Sequence, residues 1–435
     1  MSKATSRKSG KKANAVKTAS SAKSSRTASG VVRKKAKASK RLTRKEKTGR
    51  QLPRARRAGD IQPFFAMEVL DKAWRMEARG RDVIHLEVGE PDFESPFAVV
   101  KAGRAALKQG HTKYTPAMGI PELRSAIARS YARACRPPAG RIAVTPGSSG
   151  ALMLTFGVMI DPGDEVLLAD PGYPCNSNFI RLFGGRPKLI PTDASTNYQL
   201  TAELIRRNWR ARTRAVLIAS PSNPTGTIVP AKEMTSIIRT VEELGGVCVV
   251  DEIYHGLTYD VDVRSALYDS PDVFVVNSFS KFYGMTGWRI GWLVCPEYYI
   301  DDITKFAQNL YISTSAPAQY GALAAMTPQV RTECDRRRHL FQERRDYLVP
   351  ALQDLGFEIP VVPQGAFYVY ADVSRFSNDS EEFAMKLLQK TGVAITPGRD
   401  FGDYRHLQHV RFSYANTLER LRDAVSRLGA FIGGP

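Results

Sequence analysis

No apolar run in the 435 residues is long enough to cross a bilayer, so the sequence predicts a soluble protein without a membrane anchor. Cysteine is scarce. Cys135, Cys175, Cys248, Cys295 and Cys334 are scattered, with no CxxC or CxxxC spacing. An odd number of isolated thiols in a long chain argues against a disulfide framework and for a reducing, cytoplasmic setting. The six histidines show no ligand spacing, which argues against a structural metal. Acids are almost missing from the first 57 residues, which hold 21 of the 63 Lys and Arg and only Glu46 against them. The net charge of +20 therefore belongs to a tail, and the remainder is balanced. Nucleic-acid binding by the folded part is not implied by that number.

The tail (1–57) is rich in Lys, Ala and Ser and lacks aromatics, so it cannot offset its ordering entropy and is expected to be disordered. Three readings of it stay open: a solvated arm or misassigned start, weak non-specific contact with polyanions, and organelle targeting. Structure is expected to begin near Ile61. "PELRSAIARSYARAC" (121–135) has helical spacing with proline at its start. Short apolar runs bounded by turns follow: "EVLLAD" (165–170), "RAVLIAS" (214–220), "GVCVVDEIY" (246–254), "VFVVNSF" (273–279) and "GWLVC" (291–295). Helical stretches such as 231–244 separate some of them. That alternation predicts an α/β fold with a largely parallel sheet covered on both faces. The last part reads as helix, strand, helix, a smaller α+β lobe. The expected division is 58–92 and 326–435 for a small domain and 93–325 for a large one.

Ligands of open α/β sheets bind beyond the carboxyl ends of the strands. The polar residues there are Ser148–Ser149, Asp170–Tyr173, Ser222–Asn223, Asp251–Tyr254 and Ser278–Lys281. A Gly/Ser turn opening a helix (147–150) suits a phosphate, and Ser278 and Arg289 add a hydroxyl and a guanidinium. Tyr173 offers an aromatic face. Asp251, ending an apolar strand, is costly unless it meets a cation such as a protonated ring nitrogen. Asn223 and Tyr254 suit a phenolic oxygen. Lys281, set in the apolar stretch "SFSKFYGMTGWRIGW" (278–292), suits condensation with an aldehyde. Each feature alone has a plainer reading as a cap, a turn or a solvated charge. Together they describe pyridoxal phosphate.

Ten stretches from Ile61 onward stand in one order, among them "HLEVGEPDF" (85–93), "KYTPAMGIPELR" (113–124), "SPSNPTG" (220–226), "DEIY" (251–254), "QGAFYVYAD" (364–372), "PGRDFG" (397–402) and "VRFSYA" (410–415). In these the chain resembles the class I/II aminotransferases, pyridoxal-phosphate enzymes of fold type I. The resemblance implies a seven-stranded, mostly parallel sheet domain and a smaller domain built from both chain ends. It implies that Lys281 is the Schiff-base and proton-transfer lysine. Asp251 would pair with the ring nitrogen, Asn223 and Tyr254 hold the ring oxygen, and Tyr173 stack on the ring. Ser148, Ser149, Ser278 and Arg289 would bind the phosphate, with Tyr114 reaching that of a neighbouring subunit in a homodimer. Arg411 and Gly89 would hold the substrate α-carboxylate, and Asn223 would also contact the substrate. Amino acid and 2-oxo acid substrates would exchange the amino group in two half-reactions, with 2-oxoglutarate or pyruvate as acceptor.

Two departures argue against an acidic donor. No Lys or Arg lies between Lys305 and Arg331, and Ser149 stands where many acidic-substrate relatives carry lysine. A neutral or broad donor range is expected. The same anchors would serve a β-eliminating C–S lyase. A DNA-binding regulator with a sensor lobe is a third reading, against which no helix-turn-helix pattern precedes the lobe.

Overall fold

The computed structural model describes residues 53–55, 57–61 and 63–433. Most of the basic tail, and with it the expected disorder, targeting and polyanion contact, lies outside the described residues. Regular structure starts slightly earlier than expected, in a short helix, Arg57–Asp60, whose Arg57 Nη1 donates to Leu182 O at 3.0 Å.

In chain order the strands are β1 (Ile84–His85), β2 (Ile142–Thr145), β3 (Glu165–Asp170), β4 (Arg186–Pro191), β5 (Thr213–Ala219), β6 (Val247–Asp251), β7 (Phe274–Ser278), β8 (Gly291–Val294), β9 (Tyr368–Asp372), β10 (Val393–Ala394), β11 (Thr396–Pro397) and β12 (His409–Ser413). Seven of them form one sheet in the order β2-β8-β7-β6-β5-β3-β4. Only β8 runs against its neighbours, β2 and β7; the other pairings are parallel. The expected seven-stranded, mostly parallel α/β sheet is therefore present. Its strands are apolar on both faces. In β5, Val216 and Ile218 pack into one core while Ala215 and Leu217 pack into the other.

An early and a late stretch of the described residues pair. β1 pairs in parallel with β10, Ile84 opposite Val393, and β11, β12 and β9 form a three-stranded antiparallel sheet. A 27-residue helix, Pro328–Asp354, precedes β9. Among the described residues no helix is long and apolar enough to cross a membrane, and the five cysteines are free.

Two expectations change. The helix predicted over 121–135 stops at Ser130. Tyr131 turns extended and buries its ring, its hydroxyl accepting from Trp292 Nε1 at 2.9 Å, and only a 3₁₀ turn follows at Arg133–Cys135. The strand read over 246–254 ends at Asp251, and 252–255 form a turn in which His255 N donates to Glu252 O at 2.8 Å.

Candidate active site

A cavity of about 270 Å³ opens beyond the carboxyl ends of the parallel strands. Five strand ends deliver Ser148 and Ser149, Tyr173, Asn223, Asp251 with Tyr254, and Lys281 to its wall, and Gly89, Arg289 and Arg411 complete it. Two expected residues are not among that lining. Tyr114 is 79% exposed elsewhere on the surface. Ser278 is buried behind the wall, its hydroxyl donating to Ile290 O at 3.1 Å and lying 2.9 Å from Ser280 Oγ, whose hydroxyl can donate to it, and Ser280 faces the cavity instead.

One end of the cavity is built for an anion. The helix Gly147–Met159 begins there, with Ser148 and Ser149 in its first turn. Gly147 has φ +70°, and a Cβ on it would stand 2.6 Å from Arg289 Nη2. Glycine is thus needed both for the turn and for the guanidinium to approach the positive helix end. Arg289 itself sits at φ 53°, a left-handed conformation uncommon for a long side chain, and its Nη1 donates to Thr286 O at 3.1 Å.

At the far side, Asp251 Oδ1 accepts from Ile253 N at 3.0 Å. Burial pushes its carboxyl up to about 7; the Ile253 N–H opposes this, Glu252 adds to it, and Lys281 opposes it weakly. Lys281 is pulled down to about 8, first by burial; Glu90 opposes this, the positive charges of Arg411 and Arg289 add to it, and Asp251 opposes it weakly. Its Nζ donates to Gly89 O at 2.5 Å. Tyr254 and Tyr368 share a hydroxyl–hydroxyl bond of 2.8 Å.

Arg411 is almost fully buried. Nη1 donates to Asn223 Oδ1 at 2.8 Å, and Nη2 to Glu87 O at 2.6 Å and Thr396 Oγ1 at 3.2 Å. The Tyr368 ring lies 4.3 Å from the guanidinium carbon. Among the described residues its Nε has no hydrogen-bond partner. Tyr368, Ser280, Thr396 and the carbonyl of Glu87 are additions to the residues read from sequence.

These donors fit pyridoxal phosphate. A helix start with two serines and an arginine suits the phosphate, and a carboxyl held near neutrality by burial suits a cationic ring nitrogen. Asn223 and Tyr254 suit the phenolic oxygen, and an amine of depressed basicity suits the aldehyde.

The family model for aminotransferase class I and II matches residues 81–428. A valine–pyruvate aminotransferase of Mycobacterium tuberculosis is 38% identical over 385 residues, 87% of this chain and 98% of the relative. An aspartate/prephenate aminotransferase of Thermus thermophilus is 35% identical over 87% of this chain and 98% of its own. The crystal structure of an aminotransferase from M. tuberculosis superposes with a TM-score of 0.86 at 37% identity, covering 88% of this chain and all of the other. The chain belongs to the class I and II aminotransferases, of fold type I and dependent on pyridoxal phosphate. It is an enzyme that moves an amino group between an amino acid and a 2-oxo acid.

Proposed function

We propose that the enzyme takes its amino group from neutral, aliphatic L-amino acids and passes it to pyruvate or 2-oxoglutarate by a ping-pong route. The observation that carries this is the charge of the cavity wall. Its cations are Lys281, Arg289 and Arg411, whose roles are already filled by the aldehyde, the phosphate and the α-carboxylate. No further cation lines it among the described residues, whereas Glu87 and Glu90 do. Phe64, Ala66, Met67 and Leu70 supply an apolar wall. A second carboxylate on the donor would be buried beside acids without a partner, which is costly. The M. tuberculosis relative is named for valine and pyruvate; the Thermus relative is named for aspartate and prephenate.

Pyridoxal phosphate supplies an aldehyde that condenses with amines and a ring that takes up electrons from the α-carbon. The chain's residues do the rest. Arg411 holds the α-carboxylate by a two-pronged contact, with Gly89 beside it, and so orients the Cα–H bond. Lys281 Nζ, poised near neutral pH, takes the α-proton and returns it as general acid. Asp251 would pair with the ring nitrogen, and Asn223 and Tyr254 would hold the ring oxygen; the Tyr368 hydroxyl, 2.8 Å from that of Tyr254, fixes Tyr254. Ser148, Ser149, Ser280 and Arg289 would hold the phosphate, with Ser278 behind Ser280.

A donor panel tests this. Valine and leucine are expected to exceed aspartate in kcat/KM by about 10²-fold with either acceptor. Parity of aspartate with valine overturns the reading. Pyruvate and ammonia released from a β-substituted donor, in place of balanced keto acid and new amino acid, would favour the lyase.

The two arginines are separable. Arg411→Lys keeps the charge but loses the planar fork, so kcat/KM is expected to fall by about 10-fold or more for every donor, about 1.4 kcal/mol per decade. Cofactor should survive dialysis. Arg289→Ala should shed cofactor first. Loss of cofactor from the Arg411 variant with intact donor kinetics would show the roles to be exchanged.

The same proposal includes a homodimer, a cytoplasmic setting consistent with the five free thiols, and the domain division at 93 and 325, consistent with the separate sheets. Tyr114 and Ile312 stand exposed on segments joined by Thr115 N–H to Ser313 Oγ at 3.3 Å, and Phe97 is 82% exposed. Sedimentation should give a dimer at micromolar concentration, and Tyr114→Phe should weaken cofactor retention without dissociating it. A fully active monomer excludes shared sites.

A further inference from the structure

The helix Phe65–Glu77 carries much of the apolar wall: Phe64 at its N-cap, then Ala66, Met67 and Leu70. Its own sequence offers no cap. The N-cap residue is Phe64, whose side chain cannot accept a hydrogen bond, and the preceding residues described include Pro63. The acceptor comes instead from 335 residues away. Asp400 Oδ1 accepts from Phe65 N at 2.8 Å, and Oδ2 accepts from Ala66 N at 3.3 Å. Asp400 is 3% exposed.

The loop that presents Asp400 is itself fixed. Phe401 N donates to Gly398 O at 2.8 Å, and Gly172 N donates to Phe401 O at 2.7 Å. A Cβ on Gly398 would collide with the carbonyls of His406 and His409, so the turn is packed to its backbone. Its flanking residues face both halves of the site. The Arg399 guanidinium carbon lies 4.6 Å from the Phe65 ring, and the Phe401 ring lies 5.0 Å from the guanidinium carbon of Arg411. Packing does not enclose the helix start. Pro63, Phe65 and Asp400 also line a second cavity of about 410 Å³, so there is room for the first turn to shift. Val69 and Ala73 anchor the middle of the helix in a small core.

We propose that Asp400 is a positioning residue for donor selection: as a remote N-cap it fixes the first turn of the wall helix relative to Arg411, and so sets which side chains the pocket holds. This rests on the reading of that wall as the donor side-chain site. A carboxylate suits the role, because two orphan N–H groups and the positive helix end favour it.

Asp400→Ala and Asp400→Asn in the full-length holoenzyme test the inference by two readouts. In the first, without substrate, hydrogen exchange of the amides from Phe65 to Leu70 should quicken about 10-fold in Asp400→Ala. In Asp400→Asn, whose amide oxygen still accepts, the change should be smaller. In the second, kcat/KM for valine should fall about 10-fold in Asp400→Ala, chiefly through KM, and less for alanine, whose methyl group does not reach the wall. Asp400→Asn should remain within about threefold. Cofactor should stay bound in both. Unchanged exchange at 65–70, or an equal loss for valine and alanine carried by kcat, overturns the proposal. If the parent enzyme does not use valine, the donor reading fails, and the exchange experiment still decides whether Asp400 is the cap.

Discussion

Replacing Lys281 with alanine is expected to lower kcat/KM by at least about 10⁴-fold while leaving pyridoxal phosphate bound without a covalent link. The amine lines the cavity and, brought down to about 8 chiefly by burial, is suited to act as base near neutral pH. Ser148 and Ser149 open a different helix and Asp251 ends β6, so these anchors are untouched by the change, and binding should persist on dialysis, weakened but measurable. A stability signature accompanies the kinetic one. The folded-state pKa of Lys281 lies below its unfolded value of 10.5, so its contribution is fully present above 10.5 and is lost as pH falls through about 8. The cofactor-free alanine variant should therefore gain on the cofactor-free parent as pH falls across that window. Melting curves between pH 8 and 10 check this; a constant difference would show that the lysine is not desolvated.

Asp251→Asn should cripple the enzyme and stabilise the chain without its cofactor. The asparagine carbonyl can still accept from Ile253 N, so geometry is kept while the charge is lost. Turnover is expected to fall by roughly 10²–10³-fold, because no anion then faces the ring nitrogen. In the cofactor-free protein the sign reverses. The folded pKa of Asp251 is raised from 3.8 to about 7, so its contribution is complete below 3.8 and is lost as pH rises through 7. Above pH 7 the cofactor-free parent carries a buried, poorly paired carboxylate, and the asparagine variant should be the more stable, by on the order of 2 kcal/mol. Cofactor should reverse that order. Thermal melts of both proteins from pH 5 to 8, with and without pyridoxal phosphate, measure it. An asparagine variant less stable at every pH without cofactor would contradict the assignment.

The residues at strand ends were legible because the topology of a parallel sheet gathers them, whatever the intervening helices do. Asp251 and Lys281 end up lining one cavity for that reason. The edge strand β4, "RPKLIP", was not read as a strand: two prolines and two basic residues suit an unpaired sheet edge and hide its pairing with β3. Ser278 and Ser280 are two positions apart at a strand end, and spacing alone does not say which hydroxyl is used internally; the carbonyl of Ile290 decides it. Tyr368 lies in β9, where a buried aromatic reads as core until Tyr254 is seen against its hydroxyl. Asp400 was invisible because a cap normally sits beside its helix, and here the partner is across the chain.

Reductive trapping tests the central claim most directly. The purified holoenzyme is treated with borohydride, digested, and its peptides are mapped for the pyridoxyl group. One modified peptide, containing Lys281, is expected. Modification of a different lysine, or a holoenzyme that carries no covalent link to any lysine, would contradict it.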